Sequence, residues 1–171
     1  MKARKVQRHV LRAILIVGEG LAEVAFLNHL KALYIVRGCG LALTIKNAHG
    51  KGASHVVDVA IRQSRNAQFD IKAALLDTDT DWNEKTKAIA KKSKVQVVPC
   101  HPCLEAMLLA LHGSSVEGLS SASCKQVFIE HFGEPAHERA VYVNNFSAEV
   151  LEKARLTSPG LQQLLRLFGP G

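Results

Sequence analysis

Two stretches decide the fold: AILIV at 13–17, running into Gly18, Glu19 and Gly20, and IKAALL at 71–76, running into Asp77, Thr78, Asp79, Thr80 and Asp81. Each is a short, mostly apolar run, the first rich in β-branched residues, as expected of strands buried on both faces. Each delivers carboxylates directly past its end. In parallel α/β sheets, ligands collect outside the carboxyl ends of the strands, so Glu19 and the Asp77 group, about 60 residues apart in sequence, become candidate neighbours in space. Carboxylates held together near neutral pH repel one another, and a hard divalent cation relieves the repulsion by taking oxygen ligands.

Working outward, residues 21–36 carry apolar side chains at Leu21, Val24, Ala25, Leu27, Leu30 and Leu33, a helical spacing, with Gly38 and Gly40 as the stop. A strand is predicted at 41–45, a glycine-containing loop at 49–52, a helix at 54–67 and a basic, exposed helix at 85–92. A fourth strand at 95–98 ends at Pro99, and Pro102 is expected to open a very apolar helix at 103–112, because proline suits a first helical turn. This βαβαβαβα alternation predicts a mostly parallel sheet of about four strands with helices on both faces. Beyond Gly113 the pattern weakens. A polar loop is expected at 114–123, a helix at 124–132, a short strand at 141–143, and one or two helices over 147–168 interrupted by Pro159 and Gly160. The organisation is therefore a basic arm (1–12), an α/β core (13–113) and a small, mainly helical C-terminal extension of the same domain (114–171).

At 171 residues the chain suits one domain with a substantial core. Its 47% apolar and 22% charged residues are ordinary for a globular protein, but the net charge of +7 is not. Lys2, Arg4, Lys5, Arg8 and Arg12 crowd the leader, a pattern that fits either nucleic-acid contact or a solvated arm. No apolar run approaches the ~20 residues needed to span a bilayer, and the run at 13–17 is too short for a signal peptide. A cytoplasmic protein with no membrane partner is expected. Cys39, Cys100, Cys103 and Cys124 have no spacing that suggests a disulfide framework.

Gly18-Glu19-Gly20 with Glu23 fails the dinucleotide fingerprint, because Glu23 stands where the third glycine belongs and would repel a pyrophosphate. For Glu19 and Glu23 the alternative to chemistry is a favourable place near a helix N-terminus. Asp77, Asp79 and Asp81 are not a calcium loop, since Trp82 and Ala88 occupy the positions that need glycine and glutamate. If strand geometry persists, Asp77 and Asp79 share a side opposite Thr78, which suits Mg²⁺, while Asp81 reads as the N-cap of the next helix. His49-Gly50-Lys51-Gly52 lacks P-loop spacing but offers backbone N–H groups and one cation to a phosphate, or is a plain turn. Cys100-His101-Pro102-Cys103 has the spacing of half a zinc site or a redox pair, without a second ligand pair. His112 is explained by the negative end of its helix. Glu105 stands in the first turn of an otherwise apolar helix, at the sheet edge that also carries Glu19 and Asp77.

With these residues in register, the chain resembles the TOPRIM fold, a Rossmann-like three-layer sandwich with a glutamate after its first strand and a DxD after a later one. More narrowly it is similar to the RloB-like family, related to OLD-type nucleases. The resemblance rests on the strand into Glu19-Gly20, Glu23 with Phe26 beyond it, the loop at 49–52, the Asp77/Asp79 pair, and Pro102, Cys103 and Glu105 leading into LLALH at 108–112. It departs at Leu104 and Met107, where the family carries a bulky aromatic, and at Thr78, where it carries a basic residue. The resemblance implies a Mg²⁺- or Mn²⁺-dependent nuclease acting on DNA or RNA, associated with restriction and phage defence; the small size of the chain favours work with a protein partner in a defence complex, though no sequence feature identifies one. Asp77, Asp79 and Glu19 would hold metal, Glu19 would alternatively act as base, and Glu105 and Glu23 would complete a second position. Lys51 with Gly50 and Gly52, and Arg4, Lys5 and Arg8, would hold phosphates. The rivals are a nucleic-acid-binding subunit without turnover and a phosphohydrolase of small substrates.

Overall fold

Ile14 and Ile16 are buried in one hydrophobic cluster and Leu15 and Val17 in a second, because alternate side chains of a strand leave opposite faces of its sheet. Ala73 and Leu75 divide from Ala74 and Leu76 in the same way. The computed structural model describes residues 10–169. In it the strands β1 (Arg12–Gly18), β2 (Leu41–Asn47), β3 (Ile71–Asp77) and β4 (Val95–Cys100) form one all-parallel sheet in the order β2-β1-β3-β4. The chain runs outward from β1 to β2, then returns past β1 to β3 and continues to β4. The strand order therefore reverses between β1 and β3, the place where open α/β sheets leave a crevice at their carboxyl ends.

Helices cover both faces, giving a Rossmann-like three-layer sandwich. On one face α2 (Ala53–Gln63) and α3 (Glu84–Lys92) bury Val56, Val57, Ala60 and Ala90 against Leu15, Val17, Ala74 and Leu76. On the other, α1 (Leu21–Tyr34) packs with α4 (Leu104–Leu111), α5 (Ser121–Phe132), α6 (Arg139–Asn145), α7 (Ala148–Ala154) and α8 (Pro159–Phe168). A single buried cluster joins Ile14, Leu27 and Leu75 to Leu108, Phe128, Tyr142, Leu151 and Leu164. The segment after Gly113 thus shares the core of the sheet. Both sheet edges meet side chains: Lys31 Nζ donates to the Leu43 carbonyl on β2 at 3.1 Å, and Gln163 Nε2 to the Val97 carbonyl on β4 at 3.1 Å. No helix among the described residues is long and apolar enough to cross a membrane.

Several local expectations are corrected. Residues 141–143 are not a strand but lie in α6, where Val141 and Tyr142 are buried and Val143 faces solvent. The Tyr142 ring stacks on Phe26 with centroids 5.6 Å apart, and its hydroxyl donates to the Ala136 carbonyl. Pro102 lies outside α4, before the N-cap Cys103. α1 ends at Tyr34 and α2 at Gln63, both earlier than periodicity suggests. α5 starts at Ser121, because Ser120 caps it by accepting from the Ser123 N–H at 3.1 Å. The leader residues Arg4, Lys5 and Arg8 lie outside the described residues.

If the C-terminal helices belong to the same cooperative unit, Leu164→Ala, at a fully buried position, should lower stability by about 2–5 kcal/mol. Urea unfolding followed by circular dichroism should retain one transition; an early separate transition would show that residues 114–169 melt on their own.

Candidate metal centre at the sheet switch point

The site is assembled by backbone first. The ladder between β1 and β3 continues one residue past β1, with the Glu19 N–H donating to the Leu75 carbonyl at 3.1 Å. That places the Glu19 side chain over the end of β3, where Oε2 accepts the Asp77 N–H at 3.0 Å. Gly18 is required here: a Cβ would lie 2.8 Å from Glu23 Cβ, so only glycine lets the first turn of α1 settle on the strand end. Glu23 Oε2 in turn accepts the Gly20 N–H at 2.7 Å at the start of α1. Asp77 Oδ1 accepts the Leu104 N–H at 2.9 Å and so caps α4, whose own N-cap, Cys103, supplies no side-chain bond.

Sequence reading paired Glu19 with Asp77, and the fold brings both together with Glu23 and Glu105. Asp77, Glu23 and Glu105 are buried, at 7%, 5% and 6% exposure, and Glu19 is half-buried. Their proton affinities show the crowding. Asp77 is pushed up to about 8, by burial first and then by the charges of Glu23, Glu19 and Glu105. Glu23 is pushed up to about 7, by burial first, with Glu105 and Glu19 adding to it against the backbone N–H bonds. Glu19 is raised by burial, against its bond from Asp77 N–H, with Asp79 and Asp81 contributing. Oε2 of Glu105 is buried and has no hydrogen-bond partner among the described residues. Leaving a buried carboxylate oxygen unpaired is costly, and such an atom calls for an explanation.

Asp79 lies past the end of β3 and is exposed, lining an open cleft of about 440 Å³ with Glu19, Lys51, Gly52, Asp77, Thr80, Asp81 and Lys125. Asp81 does not cap α3; Asn83 does, accepting from the Thr86 N–H at 3.1 Å. Asp81 instead accepts from the backbone and hydroxyl of Ser54 at the start of α2. This alters the glycine loop: Gly52 has φ +82° and a Cβ there would meet the Asp81 carboxylate at 2.6 Å, so the α2 N-terminus already holds an internal anion. The Gly50 N–H is likewise spent on the Glu19 carbonyl at 2.8 Å. Of the loop, Lys51 and Gly52 line the cleft, and Lys51 alone brings charge to it.

Lys125, on α5, was missed, because nothing in the run SASCKQVF ties it to a sheet edge. Burial lowers its proton affinity, but Glu105, Asp77, Cys103 and Asp79 outweigh that and raise it overall. His101 was also passed over as a site residue; its Nδ1 lies 2.8 Å from Thr78 Oγ1, between the two aspartates in sequence. Cys100, Cys103 and Cys124 belong to packing, burial pushing Cys103 up to about 12 and Cys100 well above the thiol range, whereas Cys39 is exposed, and all four cysteines are free. His112 closes α4 as its C-cap, but its ring also packs on Phe132 and Phe146 while Nε2 lies 2.8 Å from the Asn145 carbonyl.

The donor set is all hard carboxylate oxygen, with one oxygen each of Glu19 and Asp77 fixed by backbone and Glu105 Oε2 unpaired, which suits Mg²⁺ or Mn²⁺. Among the described residues no three or more His, Cys, Asp or Glu side chains are grouped so that they could together hold a metal ion. Magnesium takes one or two carboxylates and keeps waters, so an open set is compatible with it. Comparison of the chain with protein-family models, curated proteins and solved structures finds no match.

The raised Asp77 group makes the cation-free protein pH-sensitive. An unfolded aspartate titrates at about 3.9, whereas in the fold Asp77 keeps its proton to about 8. Between those values the folded state binds the extra proton, so stability is fully present below pH 4 and falls as pH rises toward 8. Asp77→Asn keeps an oxygen for the Leu104 N–H and removes the charge. In EDTA it should raise Tm at pH 8 by on the order of 5 °C, and by less at pH 5; thermal scans at both values check this, and an unchanged or lowered Tm at pH 8 would count against the crowding.

Proposed function

We propose that the chain is a Mg²⁺- or Mn²⁺-dependent phosphodiesterase of TOPRIM type, similar to the RloB-like family, that cuts DNA or RNA in the cytoplasm as part of a phage-defence system. The observation that carries this reading is the unpaired, buried Oε2 of Glu105 within a group of carboxylates at the β1/β3 switch point. Most buried carboxylate oxygens have a hydrogen-bond partner, and a cation held among these acids would supply the one that Glu105 Oε2 lacks.

In this reading Asp77 and Asp79 would hold the metal with Glu19, and Glu105 and Glu23 would complete a second position. When bound, the metal polarises a phosphoryl oxygen and lowers the proton affinity of an attendant water. Glu19 has one oxygen locked on Asp77 N–H and a proton affinity raised by burial, so its other oxygen is suited to take a proton from an attacking water. The Asp77–Leu104 bond holds that carboxylate in place, which keeps the donors pre-set for the transition state. Lys51 and Lys125 stand on the rim of the same cleft and oppose the charge of a bound phosphate. A binding subunit without turnover is favoured by one observation, that among the described residues no three His, Cys, Asp or Glu side chains are grouped so that they could hold a metal ion.

Labelled single- and double-stranded DNA and RNA should be cut by wild type with Mg²⁺ or Mn²⁺ and not in EDTA. Asp77→Asn and Glu19→Gln should each lose about 10²-fold or more in rate, and Mg²⁺ should raise the Tm of wild type but not of Asp77→Asn. Tight binding with no cleavage by any divalent metal would replace the nuclease reading with the binding-subunit one.

A further inference from the structure

Residues 82–94, WNEKTKAIAKKSK, hold five lysines and one glutamate, a net +4 within a chain of +7. They form the end of the β3–α3 loop, α3 and the turn into β4. α3 buries only Thr86 and Ala90, so its remaining surface faces solvent, Ile89 included at 43% exposure. Lys85 and Lys92 are seven residues apart and therefore lie on one side of the helix, roughly 10 Å apart along its axis. Ala88 lies between them and Lys91 beside them, so a partner can approach closely. Of these lysines Lys87 alone has an ion pair among the described residues, with Glu84 at 2.7 Å; Lys85, Lys91, Lys92 and Lys94 have none. A row of like charges without counter-charges raises the energy of the free protein and is relieved by a polyanion.

Two features make this surface more than a solvated face. The single tryptophan of the chain, Trp82, sits partly exposed at the head of the row, with Lys87 Nζ 5.9 Å from its ring centroid. Lysines interleaved with an aromatic ring are the means by which proteins hold single strands, charge tracking phosphates and the ring stacking on a base. The surface is also continuous with the acidic centre. A groove of about 510 Å³ between α2 and α3, lined by Ser54, His55, Asp58, Lys85 and Ile89, shares Asp81 as a wall with the cleft of Glu19, Asp77 and Asp79, and the Asp58 charge is met by Arg62 at 2.9 Å.

We propose that the Trp82–Lys94 face is the docking track for single-stranded nucleic acid, leading over the Asp81 wall to the candidate metal centre. The choice of nucleic acid rests on the function proposed above, but binding to the track needs no metal. The test is therefore made in EDTA, with a labelled 20-nucleotide oligo(dT) and its oligo(U) counterpart, reading anisotropy and Trp82 emission together. Wild type should bind with a change in Trp82 emission. Lys85→Glu/Lys92→Glu should weaken binding by about tenfold or more, and its log–log salt slope should be shallower by about 1.4. Lys153→Glu, a lysine of α7 outside the track, should bind within about twofold of wild type, and the melting temperature of each variant confirms that it folds. No binding, binding unaffected by the double reversal, or duplex bound equally well with Trp82 emission unmoved would each overturn the proposal. Binding weakened by the reversal in a protein that cuts nothing with any metal leaves the track standing and removes only the nuclease reading.

Discussion

The constraint on which the molecule turns is the hydrogen bond from the Asp77 N–H to Glu19 Oε2. It ties the ends of the two central strands together through a side chain, at the one place in the sheet where successive crossovers diverge. With helices leaving in opposite directions, nothing from the sheet itself fills the crevice, and the residues that close it must come from the strand ends. The closing residues are carboxylates. Glu23, Glu19 and Asp77 are oriented by backbone N–H groups of α1, β3 and α4, and Lys125 offsets only part of the charge crowded there. The raised proton affinities of Asp77, Glu23 and Glu19 follow from that arrangement.

The second layer of the site is supplied by the far half of the chain. α4 is positioned by Asp77 and carries Glu105, and α5 packs on α4 through Cys103, Ala106 and Cys124, which brings Lys125 to the cleft. A residue that caps a helix and faces like charges serves structure and site in opposite senses. Its acceptor oxygen stabilises α4, while its charge opposes burial. A carboxamide would serve the cap as well and the fold better, so capping alone does not account for an aspartate at this position.

How much was legible follows from which interactions are local. The strand runs at 13–17 and 71–76 and the helical periodicity after Gly20 are local patterns, and the sheet they predict is the one present. The pairing of Glu19 with Asp77 was legible too, because carboxyl strand ends in a parallel sheet must share an edge. Residues set by tertiary contact were not. Val141 and Val143 alternate like a strand, yet Tyr142 between them is the buried anchor and holds the segment helical. Asp81 looks like the cap of the helix that follows it, but Asn83 lies two residues nearer, and Asp81 turns back to Ser54 across 27 positions of sequence. Lys125 has no local signature at all, since its meaning comes from the packing of α5 on α4.

Within a basic chain this centre is acidic, and the two signs act over different ranges. Exposed charges are screened over roughly 8 Å at physiological ionic strength, so repulsion of a polyanion by the carboxylates is confined to the crevice. Beyond that distance the uncompensated lysines of α3 determine what approaches. On the proposed reading a strand is drawn to the lysine face first and meets the carboxylates only at the cleft, where Lys51 and Lys125 on the rim and a cation among the acids offset them. The order matters energetically, because attraction along the outer surface would raise the local concentration of phosphate at a cluster of carboxylates that by itself repels it.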